Sequence, residues 1–180
     1  KPMDETRDAY TGLQTITFNQ TSDLKDMELT RPFAKVRVVA TDIADIRKVG
    51  LEPTTAVMSY SDDNMMYRTF NAVADTKNNE TDRSNAAERE DVEYTYVKEY
   101  YEAYSKEDAA EFTLFTDYIF VPASGTAKFT LNVYADATKT SLIKGNNFNT
   151  EIFVERNKLT TIKGDVLTTG GNIKVTVDNE

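Results

Sequence analysis

The stretch Asn149-Thr-Glu-Ile-Phe-Val-Glu-Arg-Asn-Lys-Leu-Thr-Thr-Ile-Lys-Gly-Asp-Val-Leu-Thr168, close to the end of the chain, decides the fold. Apolar and polar residues alternate on both sides of a polar turn at residues 156–158, which predicts two strands joined by that turn. Gly164 lies inside the second strand, where a glycine indicates a bulge or a close approach of two backbones. The stretch therefore predicts one corner of an all-β sheet, and nothing in it is typical of an active site.

The composition excludes several classes of function. The chain has 180 residues and contains neither cysteine nor histidine. Disulfides, thiolate metal sites, imidazole bases and Ser-His-Asp triads are therefore excluded. No pattern selects a carboxylate pair for glycoside hydrolysis from the 30 Asp and Glu residues. We expect no catalytic, metal-binding or cofactor-binding residues, and we expect that the protein is not an enzyme.

The charge restricts the partners. The formal net charge of −9 repels phosphate backbones and anionic lipid surfaces. No run approaches the roughly 18 apolar residues that cross a bilayer. We therefore expect no nucleic-acid partner and no direct contact with an anionic membrane surface.

The chain is predicted to begin with a tail and a first short strand in residues 1–27, followed by one domain in residues 28–180. In the segment 29–40, Ala34, Val36, Val38 and Ala40 share one face, which predicts a strand, and Pro32 belongs at its start or edge. A short helix is predicted over residues 42–49. Thr41 is its predicted N-terminal cap and Gly50 its C-terminal cap.

The remaining pattern predicts further strands. They lie at residues 13–18, 54–60, 66–73, 92–96, 112–121, 128–136 and 173–177. Segment 112–121 is apolar on both faces and is assigned to the centre of a sheet. Asn146-Asn147 is assigned to a loop and residues 75–91 to a long polar surface loop. A second short helix is predicted from about residue 97.

The elements together predict the fold class. Eight or nine strands and two minor helices, with turns at sandwich-like spacing, predict an all-β sandwich. The tyrosines at 100, 101 and 104 are predicted to pack that second helix onto the sheet. Tyr94 and Tyr96 either pack in the same way or present a binding surface.

Three segments together resemble the fimbrillin-like proteins of Bacteroides-type bacteria. Leu29-Thr-Arg-Pro-Phe-Ala-Lys-Val36 is similar to their Arg-Pro-Phe-Ala-Lys/Gln strand, and residues 112–121 with Tyr118-Ile119 resemble their Tyr-Ile strand. The segment 154–168 resembles their terminal signature Arg-Asn-x-x-Thr-x-Ile-x-Gly-x-Leu-Leu-Thr. Val166 departs from it in place of leucine. The matching positions are Arg156, Asn157, Thr160, Ile162, Gly164, Leu167 and Thr168.

The resemblance implies a transthyretin-like, Greek-key β-sandwich and a function. It implies an exported subunit, or subunit-like lipoprotein, of type V fimbriae on the outer membrane and cell surface, which assembles by β-strand complementation. It also implies that the protein contacts a membrane only through a lipid anchor on the precursor. The implied partners are other fimbrial subunits or copies of the same chain. The alternative is a stand-alone surface β-sandwich that binds a host glycan or protein through its loops.

The last strand is the candidate for exchange between subunits. Ile173, Val175 and Val177 form an apolar row that supplies the alternate anchors which strand addition requires. The other interpretation is an ordinary last strand of its own sheet. Deletion of residues 171–180 would separate the two, because loss of polymerisation with retention of the fold indicates exchange, whereas loss of folding indicates an ordinary strand.

Overall fold

The computed structural model describes residue 3, residues 9–10, residue 12 and residues 26–60, 92–96, 110–121 and 124–179. These residues form eight strands and one helix. They are β1 (Phe33–Ala40), α1 (Ile43–Lys48), β2 (Thr55–Tyr60), β3 (Val92–Thr95), β4 (Phe112–Phe120), β5 (Ser124–Tyr134), β6 (Leu142–Glu155), β7 (Lys158–Asp165) and β8 (Gly171–Asn179).

The described strands form two four-stranded sheets. Sheet 1 has the order β4-β1-β7-β8, and sheet 2 has the order β3-β2-β5-β6. All neighbours are antiparallel except β1 and β7, which run parallel. A parallel pair needs a crossover connection, and here the connection includes the whole of sheet 2. The predicted all-β sandwich is confirmed.

The core lies between the sheets and follows the alternation of the sequence. Ala34, Val36, Val38 and Ala40 of β1 are fully buried, as predicted. From sheet 2, the inward residues of β5 complete the same cluster, which contains Phe129, Leu131 and Val133. Each such side chain contributes roughly 1.5–3 kcal/mol when it leaves water. Pro32 is buried and directly precedes β1, at the predicted start of the strand.

Helix α1 differs from its prediction at the N-terminal end. Its N-cap residue is Asp42 and not Thr41, and the side chain of Asp42 makes no capping hydrogen bond. At the other end the predicted cap is found. Gly50 has φ +77°, Gly50 N donates to Arg47 O at 2.9 Å, and Leu51 N donates to Ile46 O at 3.1 Å. These two bonds are the Schellman arrangement, in which glycine adopts the left-handed conformation at low cost.

One assignment made from the sequence is wrong. Asn146-Asn147 is not in a loop but in the middle of β6, where Asn146 is buried. Strand β4 has buried residues on both faces, as predicted, and among the described strands it stands at the end of sheet 1. Its outer edge is approached by Met3, whose N–H donates to Thr116 O at 2.9 Å.

The strands predicted at 13–18 and 66–73 lie outside the described residues. So do the polar loop at 75–91 and the helix predicted from about residue 97, with its three tyrosines.

Candidate interaction edge at the last strand

The three segments that carry the family resemblance meet in the folded chain. Arg31 Nη1 donates to Asn157 Oδ1 at 3.2 Å, and Asn157 N donates to Phe33 O at 3.0 Å. The ring of Phe33 lies edge-on to the ring of Tyr118, with 4.8 Å between centroids. The motif residues are thus brought together by the fold, and their contacts account for them as structural residues.

The turn between β6 and β7 carries the chain from sheet 2 to sheet 1. Asn157 adopts φ +62° there, a left-handed conformation that asparagine tolerates better than most residues. Arg156 Nε donates to Val121 O at 2.8 Å. Thr160 Oγ1 donates to Phe153 O at 2.9 Å and joins β7 to β6 across the two layers. The predicted turn is therefore present, but its two strands belong to different sheets.

Asp42 fastens the start of α1 to the turn between β7 and β8. Its carboxylate accepts hydrogen bonds from Leu167 N at 3.0 Å, from Thr168 N at 2.7 Å and from Thr168 Oγ1 at 2.7 Å. Asp42 is 4% exposed and Leu167 is 2% exposed. Hydrogen bonds to an ionised acceptor are shorter and stronger than neutral ones. The carboxylate therefore fixes the turn from which β8 begins.

A second carboxylate, that of Asp165 at the end of β7, links β7 to Thr41 and to β8. Asp165 accepts from Thr41 Oγ1 at 2.8 Å and from Asn172 Nδ2 at 2.5 Å. Thr41, predicted as a helix cap, instead makes this contact. The hydrogen bond from Thr41, followed by that from Asn172, lowers the pKa of Asp165 below its ordinary value. Both bonds stabilise the ionised form of the carboxyl group.

Gly164 allows β8 to approach β7 closely, as the sequence predicts. A Cβ at this position would lie 2.9 Å from Asn172 O, 2.9 Å from Ile173 Cα and 3.0 Å from Gly171 O. The register between the two strands is irregular at the same place, between Lys163 and Asp165. The glycine therefore sets the position of the first residues of β8.

The candidate residues Ile173, Val175 and Val177, called the apolar row below, lie together on the inward face of β8. Val175 is directly opposite Ile162, and Val177 is opposite Thr160. Both partners on β7 are fully buried, and directly opposed residues of antiparallel strands lie on the same face. The apolar row nevertheless remains 39–41% exposed.

The exposure of the row follows from the position of β8 in the sandwich. In the described residues β8 ends sheet 1 and has no strand on its outer side. Sheet 2 ends at β6, which is joined to β7 through the Thr160 bond. The backbone of a terminal strand presents unpaired N–H and C=O groups. Within the described part of the chain, β8 therefore combines an edge that has no neighbouring strand with apolar side chains that are only partly covered. In the isolated chain it pairs with β7 of its own sheet.

Of the two tyrosines left open by the sequence, Tyr96 packs in the core. It is 5% exposed, and its hydroxyl donates to Leu114 O at 2.5 Å. Its ring lies edge-on to those of Tyr94 and Phe112, at 5.5 Å and 5.3 Å. Tyr94 is partly exposed at the border of the core, and burial raises its pKa above the ordinary value.

The structure of the described segments gives two further findings. No three or more acidic, histidine or cysteine side chains in these segments are placed to hold a metal ion. None of the described helices has the length and apolar character needed to span a bilayer.

The role of Asp42 was not predicted from the sequence. An aspartate just before a helix is typical of an N-cap, and only the folded chain shows that its acceptor oxygens are used by residues about 125 positions later. Lys174 and Asp178 are both exposed on β8. Their opposite charges are visible in the sequence, but no interaction was predicted for them.

Comparisons with known proteins identify a family. The profile of the family of unknown function DUF6562 matches residues 2–180. No curated protein and no solved structure matches the chain. The match covers nearly the whole sequence, so the chain belongs to the DUF6562 family.

Proposed function

We propose that this member of the DUF6562 family is a structural or adhesion subunit of the bacterial cell surface. It would be exported, belong to a fimbrium or fimbrium-like assembly, and act by pairing strands with neighbouring subunits rather than by catalysing a reaction. The observation that carries the proposal is β8, which has no described strand on its outer side and whose apolar row is 39–41% exposed.

The chemistry of β8 suits strand pairing. An added strand gains main-chain hydrogen bonds along the edge and side-chain contacts at alternate positions. The apolar row supplies those alternate positions, and a neighbour that covers it removes apolar surface from water. The resemblance of the three motif segments to fimbrillin-like proteins supports the same function.

The test compares two sets of substitutions. The triple variant Ile173→Ser, Val175→Ser, Val177→Ser removes the apolar row. The control variant Val49→Ser, Leu142→Ser removes two apolar side chains outside β8, one after α1 and one in β6, which are 71% and 55% exposed. We expect oligomers on non-boiled gels, and filaments by electron microscopy, for the parent and the control but not for the triple variant.

The folding of all three proteins is checked by circular dichroism and urea unfolding. Filaments formed equally well by the folded triple variant would contradict the proposal. A chain that stays monomeric with every subunit partner tested, yet binds to a glycan array, would favour the alternative of a stand-alone binding module.

A further inference from the structure

The sequence of β8 is complementary to itself in the antiparallel direction. Lys174-Val-Thr-Val-Asp178 places opposite charges at equal distances from Thr176, with a valine on each side of it. When two such strands lie antiparallel with Thr176 opposite Thr176, each Lys174 faces Asp178 of the other copy and each Val175 faces Val177. Directly opposed residues of opposite charge stabilise a strand pair, and like charges destabilise it.

The register with β7 shows which side chains would share a face in such a pair. Lys174, Thr176 and Asp178 are opposite Lys163, Thr161 and Leu159, so they lie on the outward face of sheet 1. Among the described residues, no ion pair or side-chain hydrogen bond involves Lys174 or Asp178, and both are exposed. Both charges are therefore available to a second chain.

The same arrangement extends the apolar row. When two copies pair antiparallel about a two-fold axis perpendicular to the sheet, the inward faces of the two copies lie on the same side of the joined sheet. Val175 and Val177 of one copy thus lie opposite Val177 and Val175 of the other, Ile173 lies opposite Asn179, and both inward faces remain turned toward the cores. Contact between the rows covers side chains that are 39–41% exposed in one chain and adds an apolar contribution to the backbone pairing.

The backbone permits this register. Along a terminal strand, the N–H and C=O groups of every second residue point away from the sheet. A two-fold axis at Thr176 pairs even-numbered with even-numbered residues and odd-numbered with odd-numbered ones. The outward groups of one copy therefore meet outward groups of the other, whichever alternate set points outward.

We propose that β8 pairs with β8 of a second copy of this chain, antiparallel about a two-fold axis at Thr176, with two Lys174–Asp178 ion pairs across the interface. The inference rests on the proposed function only in using β8 as the pairing strand. Because such an isologous contact closes on itself, it yields a two-copy unit that joins the two copies of sheet 1 into one continuous sheet. A filament would then be built from these units through a second contact elsewhere on the chain, so loss of the β8 pairing would still remove its building block.

The absence of cysteine from the chain makes the axis directly measurable. Residues directly opposite each other in an antiparallel pair have Cα atoms about 4.5–5.5 Å apart, within the range of a disulfide. We expect Thr176→Cys to form a disulfide-linked dimer under mild oxidation. Asn179→Cys is the control, because two copies of residue 179 would be separated by six residue steps, or about 20 Å.

A charge exchange tests the register independently. Lys174→Asp places aspartate opposite Asp178, and Asp178→Lys places lysine opposite Lys174, so each single variant replaces two attractive contacts by two repulsive ones. We expect each to raise the dimer dissociation constant about tenfold or more in sedimentation equilibrium. The double variant Lys174→Asp, Asp178→Lys restores opposite charges, and we expect it to dimerise like the parent.

The outcomes separate this inference from the proposed function. Equal crosslinking at positions 176 and 179, or failure of the double variant to recover, overturns the two-fold pairing. Filaments that form from a chain lacking the dimer would leave the proposed function standing alone. A dimer with rescue by the double variant, but without any larger assembly or subunit partner, would retain the pairing and overturn the fimbrial function.

Discussion

At the scale of single residues, Asp42 shows how one carboxylate holds distant parts of the chain together. It accepts from the backbone of Leu167 and Thr168 and from the Thr168 hydroxyl. Removal of this acceptor leaves buried donors without a partner, which costs about 1–3 kcal/mol. We therefore expect Asp42→Ala to lower the free energy of unfolding by that amount, measured by urea titration.

Asp45→Ala is the matched control for Asp42. Asp45 lies on the same helix and pairs with Lys48 at 2.7 Å, and both side chains are well exposed. Exposed ion pairs contribute little, so we expect a change within about 0.5 kcal/mol. If the two variants lost the same stability, the hydrogen bonds of Asp42 would not be the reason for its effect.

The lowered pKa of Asp165 predicts a dependence of stability on pH. Because the hydrogen bonds from Thr41 and Asn172 lower this pKa below its ordinary value, the folded chain binds fewer protons than the unfolded chain near that value. The contribution of Asp165 to the free energy of unfolding is present above its ordinary pKa, about 4. It is lost as the pH falls through the lower pKa of the folded chain. We expect Asp165→Asn to be less stable than the parent at pH 7.

The acid range gives the measurement for Asp165. Between about pH 5 and pH 3, we expect the urea midpoint of Asp165→Asn to fall less than that of the parent. Thr41→Val removes the hydrogen bond that lowers the pKa of Asp165 most, so it should also reduce the loss of stability in acid. Identical pH profiles for the parent and both variants would contradict this account.

At the scale of the elements, Gly164 controls the distance between β7 and β8. Gly164→Ala would place a Cβ within 3.0 Å of backbone atoms of β8, which cannot rotate away. Overpacking of this kind costs about 1–3 kcal/mol, and we expect that loss in urea unfolding. Gly145→Ala is the control in β6, because its nearest neighbour is the side-chain amide oxygen of Asn132, which can move. A larger loss at position 145 than at 164 would refute the steric argument.

The elements that were predicted well are those whose pattern is local. The alternation in β1, β5 and β7 and the glycine at the end of α1 each depend on neighbours in the sequence, and the structure has them where the sequence indicates. The pair Asn146-Asn147 in β6 was assigned to a loop because both residues are polar. Asn146 lies inside this strand because its side-chain amide donates to Val166 O at 2.6 Å, a partner 20 residues away.

The pattern of β4 is local in the same sense. Its apolar residues on both faces indicated a strand covered on both sides, and buried residues are found on both faces, whereas its order in the sheet depends on distant segments. The apolar row stands out in the sequence and lies together on β8, while its role in strand exchange stays a prediction. Its half exposure depends on where sheet 2 ends, which no local pattern reveals.

At the scale of the whole molecule, hydrogen bonds join the two sheets on both sides of the core. Near β3 and β4, Tyr96 donates to Leu114 O, and Tyr60 donates to Asp117 Oδ2 at 2.8 Å. On the other side, Thr160 and Asn146 donate to carbonyls of the opposite layer. These contacts are directional, so they fix the relative placement of the layers beyond what apolar burial alone requires.

This cross-layer bonding gives a stability prediction. Tyr96→Phe leaves Leu114 O without the hydroxyl in a buried place, and we expect it to lower the free energy of unfolding by about 1–3 kcal/mol. Tyr94→Phe is the matched control, because Tyr94 lies in β3 two residues before Tyr96. Tyr94 is partly exposed, so water can replace its hydroxyl and we expect a smaller loss. Equal losses for the two variants in urea unfolding would contradict the assigned role of the Tyr96 hydroxyl.

The parallel pairing of β1 with β7 has a consequence for biosynthesis. Strand β1 lies between β4 and β7, so neither of its edges finds a partner until residues far downstream have left the ribosome. At translation rates of about 5–20 residues per second, this first strand waits on the order of ten seconds. During that interval the nascent polypeptide exposes an apolar segment with unpaired backbone, which chaperones can bind until β4 and then β7 have been made.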